Sequence, residues 1–409
     1  MNATPNVAPA GASAAGHIQV DTPEFRRTNR ALFFAGFSTF ALLYTAQPLM
    51  PLLSAEFGLS PTESSWSLSA STGTLAVLLL LASALSDVIG RKLLMGAALL
   101  ASAVLTVLCA LAQTYPQLLV LRALLGMALA GVPAVAMAYL SEEIDPLALG
   151  RSMGLYIGGT AFGGMLGRIL SSLLADFISW RIAFAVIGIA GLLSALEFCR
   201  SLPPSRHFQP RRFHAAGMLG DIRRHLSDAG LPWIFLIAFL LMGCFVSVYN
   251  YLGYRLAQPP FSLRHSASGA VFSLYLIGIF ASVWSGRLAD RLGRRKVLWI
   301  MVLAMGLGLL LTLASLLIAV IAGLALFTFG FFGAHSIASS WVGRRATTAR
   351  ALASALYLSF YYLGSSLLGS ASGLAWTHGG WGGVTLLLGL CLAACLLIAV
   401  RLRKLPALS

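Results

Sequence analysis

The ionisable side chains Arg122, Arg168, Glu197 and His335 fall inside long apolar runs of this 409-residue sequence. An arginine at the centre of a bilayer-spanning helix costs roughly 2.5–3.5 kcal/mol on insertion scales, so intramembrane charges are rare and mark sites. Arg122 stands about five residues inside its run, within reach of the interface by snorkelling, and so fits a lipid-facing role or a functional one. Arg168 stands about eight residues in, too deep for easy snorkelling, and is expected to face a cavity. His335 fits either a hydrogen-bonded core residue or a proton carrier, because imidazole titrates near neutral pH. Of 13 Asp and Glu, none occupies the centre of a run, and Glu197 is the deepest. Such a cavity is positive. It suits a neutral, anionic or zwitterionic small molecule, and Glu197, His335 or an outer-loop glutamate (Glu56, Glu63) is the candidate for coupling protons. Tyr44, Gln47, Tyr249, Asn250, Tyr254, Tyr357, Tyr361 and Tyr362 are the other polar groups in apolar runs that could touch a ligand.

The elements that carry these residues follow from composition. The chain is 58% hydrophobic and only 10% charged, against roughly 25% charged in a soluble domain, so a nucleic-acid-binding module or an ordinary soluble enzyme is excluded. About 20 apolar residues span a bilayer. The runs 31–53, 66–86, 93–114, 117–140, 152–175, 180–199, 231–256, 266–286, 297–314, 316–342, 351–375 and 381–400 predict twelve such helices. With both termini placed in the cytoplasm, all 28 Lys and Arg except Arg122, Arg168, Arg181, Arg255 and Arg264 fall on that side, as the positive-inside rule requires. The net charge of +15 therefore sets orientation and does not mark a nucleic-acid partner. Trp66, Trp180, Trp376 and Trp381 fall near the outer ends of runs, and Trp233, Trp284, Trp299 and Trp341 near the inner ends, where indoles prefer the interface. The five cysteines lie in apolar runs and read as packing residues. Residues 1–30 are expected to be a disordered cytoplasmic tail with no removable signal peptide, and 401–409 a second tail. The linker 201–230 separates six runs from six. Within it, 218–227 fits an amphipathic helix on the inner leaflet and a solvated connector equally well. There is no Walker-type phosphate loop and no nucleophile–base or metal-ligand cluster, so no enzyme activity, cofactor or metal is expected.

The two halves repeat. Ser86-Asp87-Val88-Ile89-Gly90-Arg91-Lys92 matches Ala289-Asp290-Arg291-Leu292-Gly293-Arg294-Arg295 at an offset of 203, while Tyr156 and Trp180 match Tyr357 and Trp381 at 201. Parallel repeats related by an axis along the membrane normal build rocking transporters. Gly286-x-x-x-Asp290-Arg291-x-Gly293-Arg294-Arg295 and its copy from Ser83 resemble the signature loop of the major facilitator superfamily. The opening Tyr44-x-x-Gln47-Pro48 and the run Gly163 to Arg168 resemble more narrowly the arabinose-efflux-type and acriflavine-sensitivity permeases.

That resemblance implies an all-α integral membrane fold: twelve transmembrane helices in two pseudo-symmetric six-helix bundles, 31–200 and 231–400. It also implies a conformational latch formed by Asp87, Gly90, Arg91, Gly286, Asp290, Arg291, Gly293 and Arg294. Ser83 and Val88 depart from the family's Gly and Arg, so the N-terminal latch is expected to be the weaker. Arg122 to Gly126 resembles the fourth-helix motif linked to proton coupling, with Leu125 in place of Gln. Gly159 to Arg168 resembles the fifth-helix antiporter motif, with Gly164 in place of Pro. The implied function is secondary transport of a small organic solute across the bacterial inner membrane by a monomer, as proton-coupled efflux. Uptake or facilitated diffusion of an organic anion is the alternative, and a non-transporting sensor or scaffold the alternative from another class.

Overall fold

The computed structural model describes residues 16–208, 210 and 215–403. Most of the expected tail, residues 1–15, and parts of the linker and C-terminus lie outside that range. Helix starts follow local chemistry. Ser60 and Thr114 each accept a bond from the N–H three residues on, and Glu63 and Gln117 bond back to the cap's own N–H. This reciprocal arrangement satisfies two otherwise orphaned donors. Pro61 and Pro116 occupy the first turns, where no N–H is required.

Among the described residues, ten helical stretches are long and apolar enough to cross a membrane. The first six are Pro23–Phe57, Pro61–Ile89, Arg91–Cys109, Tyr115–Glu143, Leu149–Phe177 and Trp180–Ser201. The C-terminal ones are Leu231–Ala257, His265–Leu292, Leu317–Arg345 and Arg350–Leu402. Two features reconcile this with the twelve expected. Arg294–Leu311 is a further helix of 18 residues whose first three are cations. Arg350–Leu402 has 53 residues, about 80 Å of helix against a hydrocarbon core of about 30 Å. It reverses at Gly380, where φ is 54° and ψ −144°. A Cβ on Gly383 would stand 2.3 Å from the Ala375 carbonyl oxygen, a proximity that eight residues of straight helix, about 12 Å, forbid. The fold is all-helical and two-halved, and twelve crossings are consistent with it. The first span begins at Pro23, ahead of the apolar run, because Thr22 caps it by accepting from the N–H of Phe25 at 3.1 Å.

Glycines let the spans within each half touch. A Cβ on Gly163 would lie 2.0 Å from the Phe37 carbonyl oxygen, and one on Gly364 would lie 1.9 Å from that of Phe239. The first and fifth spans, and in the other half the seventh and eleventh, are thus in backbone contact at related positions, as small residues permit in membranes.

Hydrogen bonds between the halves gather at one end. Ser54 pairs with Tyr254 at 2.7 Å, Gln47 donates to Asn250 at 2.7 Å, and Ser69 and Ser366 each donate to the other's carbonyl at 3.0 and 2.9 Å. Asp176 accepts from the N–H and hydroxyl of Ser266. Among the described residues, all of these lie away from Gly90 and Gly293. The molecule is fastened at that end. At the other, basic end the hydrogen bonds given among the described residues include none between the two bundles.

At the basic end the chain segments outside the bundles are pinned. Ile18 donates to the carbonyl of Glu143 at 2.8 Å, and buried Glu143 accepts from the N–H of His207 at 2.9 Å. A helix forms over Ala215–Leu226, close to the amphipathic segment expected. Just beyond it, Asp228 pairs with Arg345 at 2.5 Å. One end of the linker is therefore tied to the N-terminal bundle and the other to the C-terminal bundle.

The signature loops also differ from expectation. Gly90 and Gly293 have φ of 98° and 85°, a conformation that favours glycine, and each is the single residue between two spans. Arg91 is buried and bridges Asp87 at 2.5 Å and Glu142 at 2.7 Å. Arg294 reaches Asp290 at 3.5 Å, and that aspartate is 69% exposed. In this conformation the N-terminal cluster is the tighter, the reverse of the order expected. The reason is Glu142, which lies outside the motif. The position 203 residues on is Arg345, a base in place of an acid, and it turns to Asp228. Gly286 has open space around its Cα and Arg291 is exposed.

Candidate functional site

The first span is broken at the point where chemistry gathers. Its helix runs Pro23–Tyr44, a tight turn covers Gln47–Leu49, and helix resumes over Met50–Phe57. Pro48 and Pro51 supply no N–H to the preceding turn, so carbonyls at the end of the first segment need other partners. The Thr45 hydroxyl bonds the Ala41 carbonyl at 2.6 Å. Arg122 supplies two more, with Nη1 on the Leu42 carbonyl at 3.1 Å and Nη2 on that of Leu43, while its Nε reaches the Ser67 carbonyl on the second span at 2.8 Å. Arg122 is fully buried. It does not snorkel, and every guanidinium nitrogen already has an acceptor. A cation at a helix C-terminus also interacts favourably with the helix dipole.

Arg168, on the fifth span, is placed differently. Its Nη1 bonds back to the Gly164 carbonyl at 2.6 Å, and Nε donates to Gln47 Oε1 at 2.5 Å. Nη2 has no protein acceptor among the described residues. The guanidinium lies 4.0 Å from the Tyr44 ring centroid, 5.0 Å from that of Tyr275 and 5.3 Å from that of Phe272. Among the described residues no carboxylate pairs with it, yet the residue is only 2% exposed. The Tyr44 and Tyr275 hydroxyls, the Asn250 amide nitrogen and the Ser365 hydroxyl are buried without partners. These groups can donate hydrogen bonds to an anionic or polar guest.

An aromatic wall continues from this cluster into the C-terminal half. Tyr275 lies 5.4 Å from Phe245, which stacks on Phe331 at 3.8 Å, and Phe331 lies near-parallel to His335 at 5.9 Å. His335 Nδ1 meets the Tyr357 hydroxyl at 2.9 Å, and its ring lies 4.7 Å from Tyr361. Tyr249 bonds Thr328 at 2.7 Å and packs 5.3 Å from Phe272. The structure thus joins Tyr44, Gln47, Arg168, Tyr249, Asn250, His335, Tyr357 and Tyr361 along one central surface.

It does not bring three of the expected residues there. Tyr254 is held at the fastened end by Ser54 and lies 5.9 Å from Trp376. Glu197 pairs with Arg30 at 2.8 Å in a partly exposed bridge on the N-terminal half, because the sixth span carries it to the basic end. Arg122 is used up on carbonyls. Tyr275 and Phe272 were missed because an aromatic side chain in an apolar run reads as packing. The serine ladder between the second and eleventh spans was legible in principle: Ser65 and Ser69, like Ser366 and Ser370, stand one helical turn apart. A larger crevice of about 560 Å³ between the second, third and fourth spans is walled by residues such as Leu78, Leu85 and Met127. It carries no charged side chain and offers apolar contact only.

A two-halved helical bundle with a buried polar cluster on its central axis defines a membrane transporter, and comparison with known proteins gives the family. The Major Facilitator Superfamily model matches residues 32–258 and 254–408. The chain is 47% identical to the inner membrane transport protein YnfM of Escherichia coli (strain K12), over 95% of this chain and 93% of that one. It is also 47% identical to the MFS-type transporter YybF of Bacillus subtilis (strain 168), over 90% and 91%. Among solved structures, the nucleoside transporter NupG superposes with a TM-score of 0.76 at 17% identity, covering 92% of this chain and all of that one. A bacterial homologue of the human lysosomal transporter Spinster, inward-facing and unoccupied, superposes at 0.72 and 15%, covering 93% and 95%. The chain belongs to the major facilitator superfamily, and it is a multi-pass membrane transporter, not an enzyme.

Proposed function

We propose that this protein moves a small organic solute with an anionic group, taking Arg168 as counter-ion, by alternating access between two bundles at about 31–200 and 231–400. The observation that carries this is a guanidinium buried to 98% with no carboxylate beside it, since an uncompensated buried charge is costly. The unpartnered donors of Tyr44, Tyr275 and Asn250 would complete the anion's shell, and the aromatic wall would hold an apolar or planar body. With both termini cytoplasmic, as the charge distribution favours, the fastened end is the outer one and the site loads from the cytoplasm. That polarity, with the efflux-type opening at Tyr44 and Gln47, supports export across a bacterial inner membrane. Proton coupling would then fall to His335, the titratable group on the central wall. The signature loops would act as latches that form and break with each cycle, and the protein would work as a monomer.

A second reading, facilitated diffusion or uptake of the anion, is favoured by one observation: among the described residues no Asp or Glu lies in a span interior to carry a proton. The test is a thermal-shift screen of carboxylates, neutral solutes and lipophilic cations at pH 6 and 8, followed by flux in proteoliposomes. Stabilisation by carboxylates that Arg168→Ala abolishes supports the site, because a ligand of the native state raises its melting temperature. Flux that collapses on adding a proton ionophore supports coupled export, and flux that is indifferent to it supports the passive reading. Stabilisation by cations, unchanged in the variant, would overturn the anion site.

A further inference from the structure

Gln47 and Asn250 lie on the first and seventh spans, which correspond in the two repeats. They meet directly between the halves, through Gln47 Nε2 and Asn250 Oδ1 at 2.7 Å. The orientation of this bond is dictated from elsewhere. Arg168 donates to Gln47 Oε1 at 2.5 Å, so the Gln47 amide must present its nitrogen to Asn250, and Asn250 must present its oxygen in return. The consequence for Asn250 is visible, since its Nδ2 is buried with no partner. An asparagine free to choose would not leave a donor stranded, because an unmade buried hydrogen bond is unfavourable. The row Arg168, Gln47, Asn250 is therefore a polarised chain whose head is a full positive charge. Charge-assisted bonds are stronger than neutral ones, and chains of them strengthen cooperatively. Beyond the pair, towards the fastened end, Pro51, Ser172 and His265 leave a space of only about 20 Å³.

We infer that Gln47 and Asn250 form an axial clasp that reads whether the Arg168 site is occupied: a carboxylate on the solute takes the Arg168 Nε–H from Gln47, and the clasp loses its charged head. This rests on the anion reading above and adds to it the way occupancy is passed to the closed end. The carboxylate competes for the same donor that fixes Gln47. Once Gln47 is released, its amide turns freely, the bond to Asn250 becomes an ordinary neutral one, and the fastened end opens more readily. A ligand shifts a conformational equilibrium only by its differential affinity for the two states, and the exchanged donor supplies that difference. Gln47 is in this sense a positioning residue. It transmits the state of Arg168 to the facing half.

The test needs no identified substrate. Spin labels are placed in the full-length protein at Phe177 and His378, exposed positions on opposite halves near the fastened end, after replacement of the five native cysteines, and the distance distribution is measured in nanodiscs. A carboxylate is then tethered at the site by Tyr275→Glu, with Tyr275→Gln as its neutral match. The expected result is that Tyr275→Glu enlarges the open fraction at the fastened end several-fold over Tyr275→Gln, and that adding Gln47→Ala removes the difference between them. Gln47→Ala and Asn250→Ala, which cut the same bond from either half, should each raise the open fraction alone, so that loss of one variant to misfolding leaves the other to decide. A purely structural Gln47 would not distinguish the charged from the neutral substitution. If the Glu and Gln variants give the same distribution, or if both alanine variants leave the distance unchanged, the clasp is wrong. The two readings fail separately: carboxylates that fail to bind would overturn the substrate class while the alanine variants still open the end. Carboxylates that bind through Arg168 with no difference between Tyr275→Glu and Tyr275→Gln would overturn the clasp alone.

Discussion

Arg122 is the residue for which the structure and the sequence motif make opposing claims, and Arg122→Ala separates them. In the structure its three guanidinium nitrogens are spent on the carbonyls of Leu42, Leu43 and Ser67, and it has no exposed surface. Removing it strands two buried acceptors at a helix end, the carbonyls of Leu42 and Leu43, each worth about 1–3 kcal/mol when unsatisfied, and takes the added bond from Ser67, whose carbonyl lies within a helix. Relief of the charge's own desolvation and partial re-bonding of the loosened turn offset part of this, leaving a cost of about 3–5 kcal/mol. For a unit of 150–250 residues, 1 kcal/mol moves the melting temperature by about 2–4 °C, so the apparent melting point should fall by roughly 6–20 °C. Arg122→Lys, which keeps the charge but not the planar fork, should fall between the two. The assay is tryptophan-fluorescence unfolding in detergent at a single fixed scan rate, because membrane proteins of this size unfold irreversibly and the midpoint is rate-dependent. A variant that melts within about 2 °C of wild type but has lost flux would refute the capping argument and return Arg122 to the proton-coupling role that its motif implies.

Three further outcomes follow from the same contacts. Arg168→Ala should weaken binding of a stabilising carboxylate by about 10- to 100-fold, the equivalent of one charge-assisted hydrogen bond, as read by ligand-dependent thermal shift, with little change in binding of neutral solutes. Gly163→Ala and Gly364→Ala should each lower stability by about 1–3 kcal/mol through overpacking, since their new methyl groups would meet the carbonyls of Phe37 and Phe239. Both should lose more when the residue is enlarged to leucine, as read by thermal unfolding. For Asp228, burial opposes ionisation, but the Arg345 guanidinium and the N–H groups of Leu231 and Gly230 outweigh it and hold the carboxyl below its ordinary 3.8. A depressed carboxylate contributes stability that is present above about pH 3.8 and is lost as pH falls through the lower folded value. Asp228→Asn should therefore destabilise the linker end by under about 1 kcal/mol at pH 7, because the group is a third exposed, and match wild type at the most acidic pH the protein tolerates.

The architecture was legible because it is written in periodic quantities. Apolar run length gives the spans, and the 203-residue echo of Asp87 in Asp290 gives the halves. Arg168 was legible too, because depth within a run is a sequence property. Partnership was not. Gln47 reads as one polar residue beside a proline, and nothing in the chain says that it will face a guanidinium 121 residues away. Arg122 shows why. Two of its three acceptors, the carbonyls of Leu42 and Leu43, are free because the first helix stops at Tyr44, ahead of Pro48, so the cause was visible in the sequence but the beneficiary lay in another span. The latch was misjudged for a related reason: the motif stops at Lys92, and the carboxylate that secures Arg91 arrives from Glu142, 51 residues later.

The linker's two attachments set a limit on motion. His207 belongs to the N-terminal bundle through Glu143, while Asp228 belongs to the C-terminal bundle through Arg345. Seven residues separate His207 from the helix Ala215–Leu226, so even drawn taut the chain between them reaches about 25–30 Å, and the helix adds about 18 Å. The linker is thus a leash of fixed length between the two bundles at the basic end. However strongly a ligand or a gradient drives the bundles apart there, the width of the opening is capped by chain length, and deleting residues from 208–214 would narrow it without touching a single group that binds solute.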